Sequence, residues 1–344
     1  MKCVKTQDAV GHVLCHDITQ IIKDVKKGTA FRKGHIVTEE DIPVLLSLGK
    51  DNIYIWEKKE GILHENEAAE YLRDICINEN MSQSEVKEGK IEIIAEIDGL
   101  LKINVESLRA VNSLGEMMIA TRHTNTTVKK GDKLAGTRII PLLIEQEKME
   151  KAKEVAGNSP ILSLMPFKKK KVGIVTTGNE VFYGRIKDTF GPVVAEKVKE
   201  FGAEVIGQTI VNDDMEKIAK ATESFIEQGA DMVLCTGGMS VDPDDKTPGA
   251  IKSTGARIVS YGAPVLPGAM MLLAYYKKDE KEIPIVGLPG CVMYSKRTVF
   301  DLVLPRLMAD DMVTSDDLAG LGLGGLCLSC DICTFPNCVF GKGV

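Results

Sequence analysis

What this chain lacks narrows its class first. It has no long hydrophobic run: "IPVLLSLG" and "AMMLLAYY" are among its longest apolar stretches, far short of the ~20 residues that span a bilayer as a helix. Its first residues, "MKCVKTQDAV", lack the apolar core of a signal peptide. Charge of one sign is missing too. The 43 Lys and Arg residues stand against 49 Asp and Glu, a net −6, which argues against a general nucleic-acid or membrane-surface binder. The expectation is a cytoplasmic protein with neither kind of partner. No G-x-G-x-x-G follows the first strand of the α/β pattern, which excludes a Rossmann dinucleotide site, and no Walker A lysine motif occurs. Internal repeats and low-complexity tracts are absent as well.

The 344 residues, 44% of them hydrophobic, suffice for two or three domains. Residues 1–60 alternate short apolar runs with polar turns and read as a small α+β module. Within it, Thr38 before Glu39, Glu40 and Asp41 reads as an N-cap. The helix would run from Ile42 to Leu48 and end at Gly49, and "NIYIWE" alternates like a strand. Residues 61–160 read as a mixed α+β region and linker. There "GKIEIIAEIDGLLKINVESL" gives two strand-like runs around Asp98-Gly99, a hairpin signal. The lysine run Lys168 to Lys171 reads as a solvated boundary.

Over residues 165–310 the pattern changes character. Strands "VGIVTTG", "AEVIGQTIV" and "DMVLCTGG" alternate with the helices "VVAEKVKEFG" and "DMEKIAKATESFIEQG". Further strands follow at "ARIVSY" and "IPIVGLPG", then a helix from Met293 to Met308. The predicted fold class is α/β, a three-layer, doubly wound, mostly parallel sheet. Smaller α+β modules precede it, and a Gly/Cys-rich tail over 311–344 follows it.

Ligands of such sheets bind beyond the carboxyl ends of the strands, and four loops fall there. The first, "TTGNE", supplies Thr176, Thr177, Gly178 and Asn179 as donors and turn, with Glu180 as acceptor or metal ligand. The second places Asp213 and Asp214 at a helix start, where capping needs only one acid. The third is "CTGGMSVDPDDKTPGAI". Gly237 and Gly238 permit close approach of the backbone, Ser240 can donate, and Thr247-Pro248 looks like a cap with proline at the first helical position. Asp242, Asp244 and Asp245 would repel a bare phosphate, so Mg2+ between the acids and a phosphate reconciles the two features. The fourth, "GLPGCV", closes a strand with Pro289 and Gly290.

This ordered set of loops, over roughly residues 170–308, resembles the molybdopterin-binding domain of molybdopterin adenylyltransferases and molybdopterin molybdenumtransferases. The resemblance implies a three-layer fold that holds the pterin phosphate and, in catalytic members, adenylylated pterin with magnesium. By it Asp213 or Asp214, Asp245 and Glu180 are catalytic or metal-holding acids, and Asp245-Lys246-Thr247-Pro248 matches the adenylyltransferase form of the third loop. Implied partners are molybdopterin or its AMP ester, molybdate, a molybdoenzyme client and a second copy of the chain. The departures are specific. The Asp-Asn-Ser-Ala-Met-Asp-Gly-Tyr-Ala segment of the molybdenum-inserting enzymes does not occur; their Pro-Gly-Lys reads Pro267-Gly268-Ala269, and their Pro-Gly-Asn-Pro reads Pro289-Gly290-Cys291-Val292. Metal insertion with AMP-ester cleavage is therefore carried beside two rivals: a non-catalytic carrier, chaperone or sensor, and a cluster-assisted maturation enzyme.

Nine cysteines complete the picture. Cys3, Cys15, Cys76, Cys235 and Cys291 are scattered and read as reduced, mostly buried thiols. Cys327, Cys330, Cys333 and Cys338 form C-x2-C-x2-C-x4-C, a soft-ligand set for an iron–sulfur cluster or zinc. The spacing favours the cluster, because zinc sites separate two C-x2-C pairs by a longer loop. The "GLGLGG" segment, Gly320 to Gly325, reads as a flexible linker before them.

Overall fold

The computed structural model describes residues 2–22, 26–55 and 60–343. The chain divides into two compact units, one of residues 1–96, 103–122 and 130–163 and one of residues 97–102, 123–129 and 164–344.

In the first unit, strand Lys2–Lys5 pairs antiparallel with Asn52–Ile55, above a core of Leu14, Ile18, Val37, Leu45 and Ile53. Trp56 and Glu57 of the expected "NIYIWE" strand lie outside the described residues. Thr38 does not cap. Its N–H and hydroxyl both donate to the Asp41 carboxylate at 2.8 Å, so the acid serves the threonine, and the helix is Asp41–Ser47. An antiparallel sheet of Met81–Gln83, Lys90–Ala95, Lys133–Ile139 and Met117–Thr121 completes the unit with helices Glu65–Cys76, Val105–Asn112 and Gln146–Ala156. The Asp98-Gly99 hairpin does not form. Lys90–Ala95 lies in this sheet, whereas Gly99–Ile103 pairs with Thr126–Val128 in another. Gly99 is small for a different reason: a Cβ there would stand 2.5 Å from the Met165 carbonyl oxygen.

The second unit carries a six-stranded sheet. Its strands are β1 (Lys171–Thr177), β2 (Glu204–Val211), β3 (Met232–Thr236), β4 (Arg257–Tyr261), β5 (Leu272–Lys278) and β6 (Lys281–Leu288). They lie in the order β2-β1-β3-β6-β5-β4, parallel from β2 to β6 and antiparallel beyond. Helices α1 (Phe190–Lys199), α2 (Met215–Glu227), α3 (Thr247–Ser253) and α4 (Val299–Met308) complete three layers. The two-residue alternation of a strand sorts the core. Val172, Ile174, Met232, Leu234 and Val286 face α1 and α4. Val175, Val233, Cys235 and Ile285 face α2 and α3. Gly173 gives Phe225 of α2 its seat on β1.

Several sequence expectations change here. Residues Leu272–Lys278 form β5, a strand the pattern did not reveal because no helix sets it off from β4 and β6. Helix α4 begins at Val299 rather than Met293. Thr298 accepts from Phe300 N at 3.2 Å while Asp301 accepts from Thr298 N at 2.8 Å, a capping box that starts the helix. Lys170 in the lysine run is buried and paired with Asp310. Gly320 to Gly325 is no flexible linker. Leu266 N donates to Gly325 O at 2.8 Å, and Gly341 N donates to Gly324 O at 3.0 Å. A Cβ on Gly325 would stand 2.4 Å from the Pro264 carbonyl oxygen, so glycine lets the tail run alongside the domain. Among the described residues no helix is long and apolar enough to cross a membrane.

Replacing Gly173 with Ala tests the sheet packing. The new Cβ would fall 2.3 Å from Phe225 Cγ, so the variant should lose about 1–3 kcal/mol in urea unfolding, with part regained on adding Phe225→Leu. An unchanged midpoint would contradict this packing.

Candidate ligand-binding site

The sheet order reverses at β1: the chain goes out to β2, then crosses back to β3 on the other side of β1. Thr176 of β1 lies opposite Thr236 of β3, so the first and third loops leave the sheet side by side, at the switch point where open α/β sheets bind ligands. Buried hydroxyls hold the two ends in register. Gln208 Nε2 donates to Thr176 Oγ1 at 2.8 Å, and Thr236 Oγ1 does so at 3.2 Å. Thr247 Oγ1 donates to Gly237 O at 2.8 Å and lies 3.2 Å from Thr177 Oγ1.

The adjacent glycines now have a physical cause. Gly237 and Gly238 have φ of 87° and 55°. A Cβ on Gly237 would meet the Thr177 carbonyl oxygen at 2.3 Å. Loop-against-loop packing demands glycine there before any ligand does.

The acids divide by task. Asp214 caps α2, its Oδ1 accepting from Glu216 N at 3.0 Å and Lys217 N at 3.2 Å. Asp213 turns the other way and accepts from Asn179 N at 2.9 Å, tying the second loop to the first. Burial pushes the Asp213 carboxyl above its ordinary value. The charges of Glu180, Asp245 and Asp244 add to the rise, and the Asn179 bond opposes it. Asp245 N donates to Asp242 O at 2.9 Å, which folds the third loop into a turn. Glu180 is exposed and Asp245 half-buried.

A cavity of about 560 Å3 opens on this side of the sheet. Gly237, Gly238, Ser240, Asp242 and Asp245 line one wall, and Gly268 to Met270 with Pro289, Gly290 and Cys291 line the other. The structure thus brings Ser240, Asp245, Pro289 and Gly290 together. Thr176, Thr177 and Thr247 are buried, and their hydroxyls serve the protein itself. Thr247 is not the cap of α3: Lys246 holds that position, and the seven-residue helix offers no separate anion site. Among the described residues no three His, Cys, Asp or Glu side chains converge as a formed metal cage.

Two contributors escaped the sequence reading. Tyr261 donates its hydroxyl to Met239 O at 2.9 Å and clamps the third loop from β4. Tyr294, 75% exposed, stands at the cavity with Met293. The signal for Tyr261 was a tyrosine followed at once by Gly262 at a strand end, which says where a strand stops and not what its side chain reaches.

Residues 173–309 match the family model described as "Probable molybdopterin binding domain". Over these residues the second unit is similar to that domain. Residues 3–57 match a domain of unknown function. A molybdopterin molybdenumtransferase of Synechococcus elongatus is 28% identical over 182 residues, 51% of this chain and 42% of that protein. A CinA-like protein of Mycobacterium tuberculosis is 38% identical over 77 residues, 22% of this chain and 18% of that protein. The chain thus spans well under half the length of the curated relatives it matches. Among solved structures, the "tungsten cofactor synthesizing protein MoaB from Pyrococcus furiosus" is 24% identical, with a TM-score of 0.33, covering 41% of this chain and 89% of that one.

The raised Asp213 carboxyl makes a stability prediction. An acid held above its unfolded value costs stability while ionised, and the cost disappears as pH falls through the folded-state value. Asp213→Asn keeps an acceptor for Asn179 N and removes the charge. In chelator it should melt above the parent at neutral pH and converge with it in acid. A variant that melts lower throughout the series would show that the carboxylate is compensated.

Proposed function

We propose that the domain holds molybdopterin or its AMP ester in this cavity, and that the chain acts in molybdenum cofactor biosynthesis as a magnesium-dependent, metal-inserting enzyme. The reaction hydrolyses the phosphoanhydride between the pterin phosphate and AMP, a water oxygen bonding to phosphorus as the P–O–P bond breaks, and releases AMP as molybdate enters. The observation that carries the reading is the cavity at the switch point, where Gly237 and Gly238 lie beside Asp242 and Asp245, with Asp213 and Glu180 near enough to act on one another's charge.

Asp213, Asp245 and Glu180 carry the hard carboxylate oxygens that magnesium takes, although among the described residues they do not converge on one point. A dication would relieve the charge that Glu180 and Asp245 add to the burial of Asp213. Bound magnesium would neutralise charge developing on the phosphoryl oxygens. The protein's own groups do the positioning. Gly237 and Gly238 admit the phosphate close to the main chain, and Ser240 stands at the same wall as a donor. The Asn179 N–H aims Asp213, and Tyr261 keeps the loop from sliding.

One observation favours the carrier, chaperone or sensor reading. The wall facing the acids presents Ala269 and Cys291, where the family resemblance calls for a lysine and an asparagine. A cradle without that cation can bind the anionic pterin and fail to turn it over. Maturation of a molybdoenzyme client with help from a cluster is the third reading, and it depends on the tail.

Anaerobic incubation with adenylylated molybdopterin, magnesium and molybdate, following AMP, separates the readings. AMP release should require molybdate, and Asp245→Asn should slow it roughly tenfold or more while changing pterin affinity less. Equal loss of release and binding would remove the role assigned to Asp245. Tight binding without release would make the chain a carrier.

A further inference from the structure

The tail cysteines take no part in that site, yet the structure gathers them. Cys327, Cys330, Cys333 and Cys338 all line one cavity of about 260 Å3, together with the apolar side chains of Leu328, Phe335 and Phe340. Phe340 is 3% exposed in the core of the domain, and Phe335 packs beside it with their ring centroids 6.2 Å apart. Cys327 N donates to Leu266 O at 2.8 Å. The four thiols therefore sit on an anchored loop.

Among the described residues the cysteines do not stand as a preformed metal group; all four line one cavity. A cubane cluster holds its ligand sulfurs apart, on the corners of an inorganic core that needs room of its own. Two consecutive two-residue gaps on one loop also follow the ligand rhythm of cluster-binding ferredoxins.

Charge agrees with this. Lys296 and Arg297 border the cavity. Lys296 Nζ donates to Asp331 O at 2.9 Å, and the Arg297 guanidinium lies 5.0 Å from the Phe335 ring centroid. Four thiolates on an iron–sulfide core carry net negative charge, which Lys296 would offset; Arg297 is already paired with Asp301 at 2.9 Å.

We propose that Cys327, Cys330, Cys333 and Cys338 ligate a 4Fe–4S cluster in this cavity. Each ligation exchanges an S–H bond for an S–Fe bond and releases one proton to solvent. The site is built on segments that also wall the pterin cavity: Lys296 and Arg297 follow Met293 and Tyr294, and the Leu266 that binds Cys327 precedes Gly268 by two residues. The proposal does not rest on the pterin reading, and its test makes no use of pterin.

The full-length chain is reconstituted anaerobically with equal amounts of ferrous and ferric iron and with sulfide, desalted and analysed. About four iron and four sulfide per chain are expected, with broad visible absorption that dithionite bleaches and a paramagnetic signal in the reduced state. Cys330→Ser and Cys333→Ser should lose the chromophore and melt like the apo parent, since both side chains are exposed. Cys3→Ser, far from the tail in sequence and exposed, should keep it. A single zinc per chain without the chromophore, iron held equally by the Cys330→Ser, Cys333→Ser double variant, or no bound metal would each overturn the proposal.

Discussion

The architecture of the ligand site hangs on a short chain of buried hydroxyl contacts across the switch point. Thr176 accepts from Gln208 and Thr236, while Thr247 reaches from α3 to the Gly237 carbonyl beside Thr177. These bonds lie in a core where an unmade one costs about 1–3 kcal/mol, so the ends of β1 and β3 cannot drift apart cheaply. With those ends fixed, the glycine pair has nowhere to go but outward past the Thr177 carbonyl. The third loop and its aspartates are carried with it.

That rigidity lets the protein tolerate an electrostatically uncomfortable mouth. Burial, with the nearby charges of Glu180, Asp245 and Asp244 adding to it, raises the Asp213 carboxyl, and among the described residues no Lys or Arg lines the cavity. The same scaffold assigns neighbouring acids to different tasks. Asp214 spends its oxygens on the first turn of α2, which frees Asp213 to face the first loop.

The parallel half of the sheet was legible in the sequence because buried strands advertise themselves as short apolar runs between helices of regular period. Strand β5 was not, since no helix separates it from β4 or β6, so the strand–helix alternation that marked the others is missing there. The Asp98-Gly99 hairpin signal misled for a related reason. Turn chemistry is local, whereas the choice of partner for Gly99–Ile103 was made by Thr126–Val128 and by close packing at Met165. At the site, the glycines and acids were visible, but the threonines that looked like ligand donors proved to be internal ties. Burial separates those roles, and burial is not written in a tripeptide.

By itself, the sequence determined the layered α/β class, the loops that stand at the ligand end of the sheet, and the cysteine spacing of the tail. Those properties follow from periodicity and residue chemistry over a few turns of chain. Only the tertiary structure decided which aspartate caps α2 and which ties the second loop to the first. It also decided that Tyr261 clamps a loop 21 residues away at Ser240, and that the glycine-rich stretch is a packed turn delivering four cysteines to one cavity. Each of these depends on groups distant in sequence competing for the same hydrogen bonds and the same space, a competition settled only when the whole domain closes around its core.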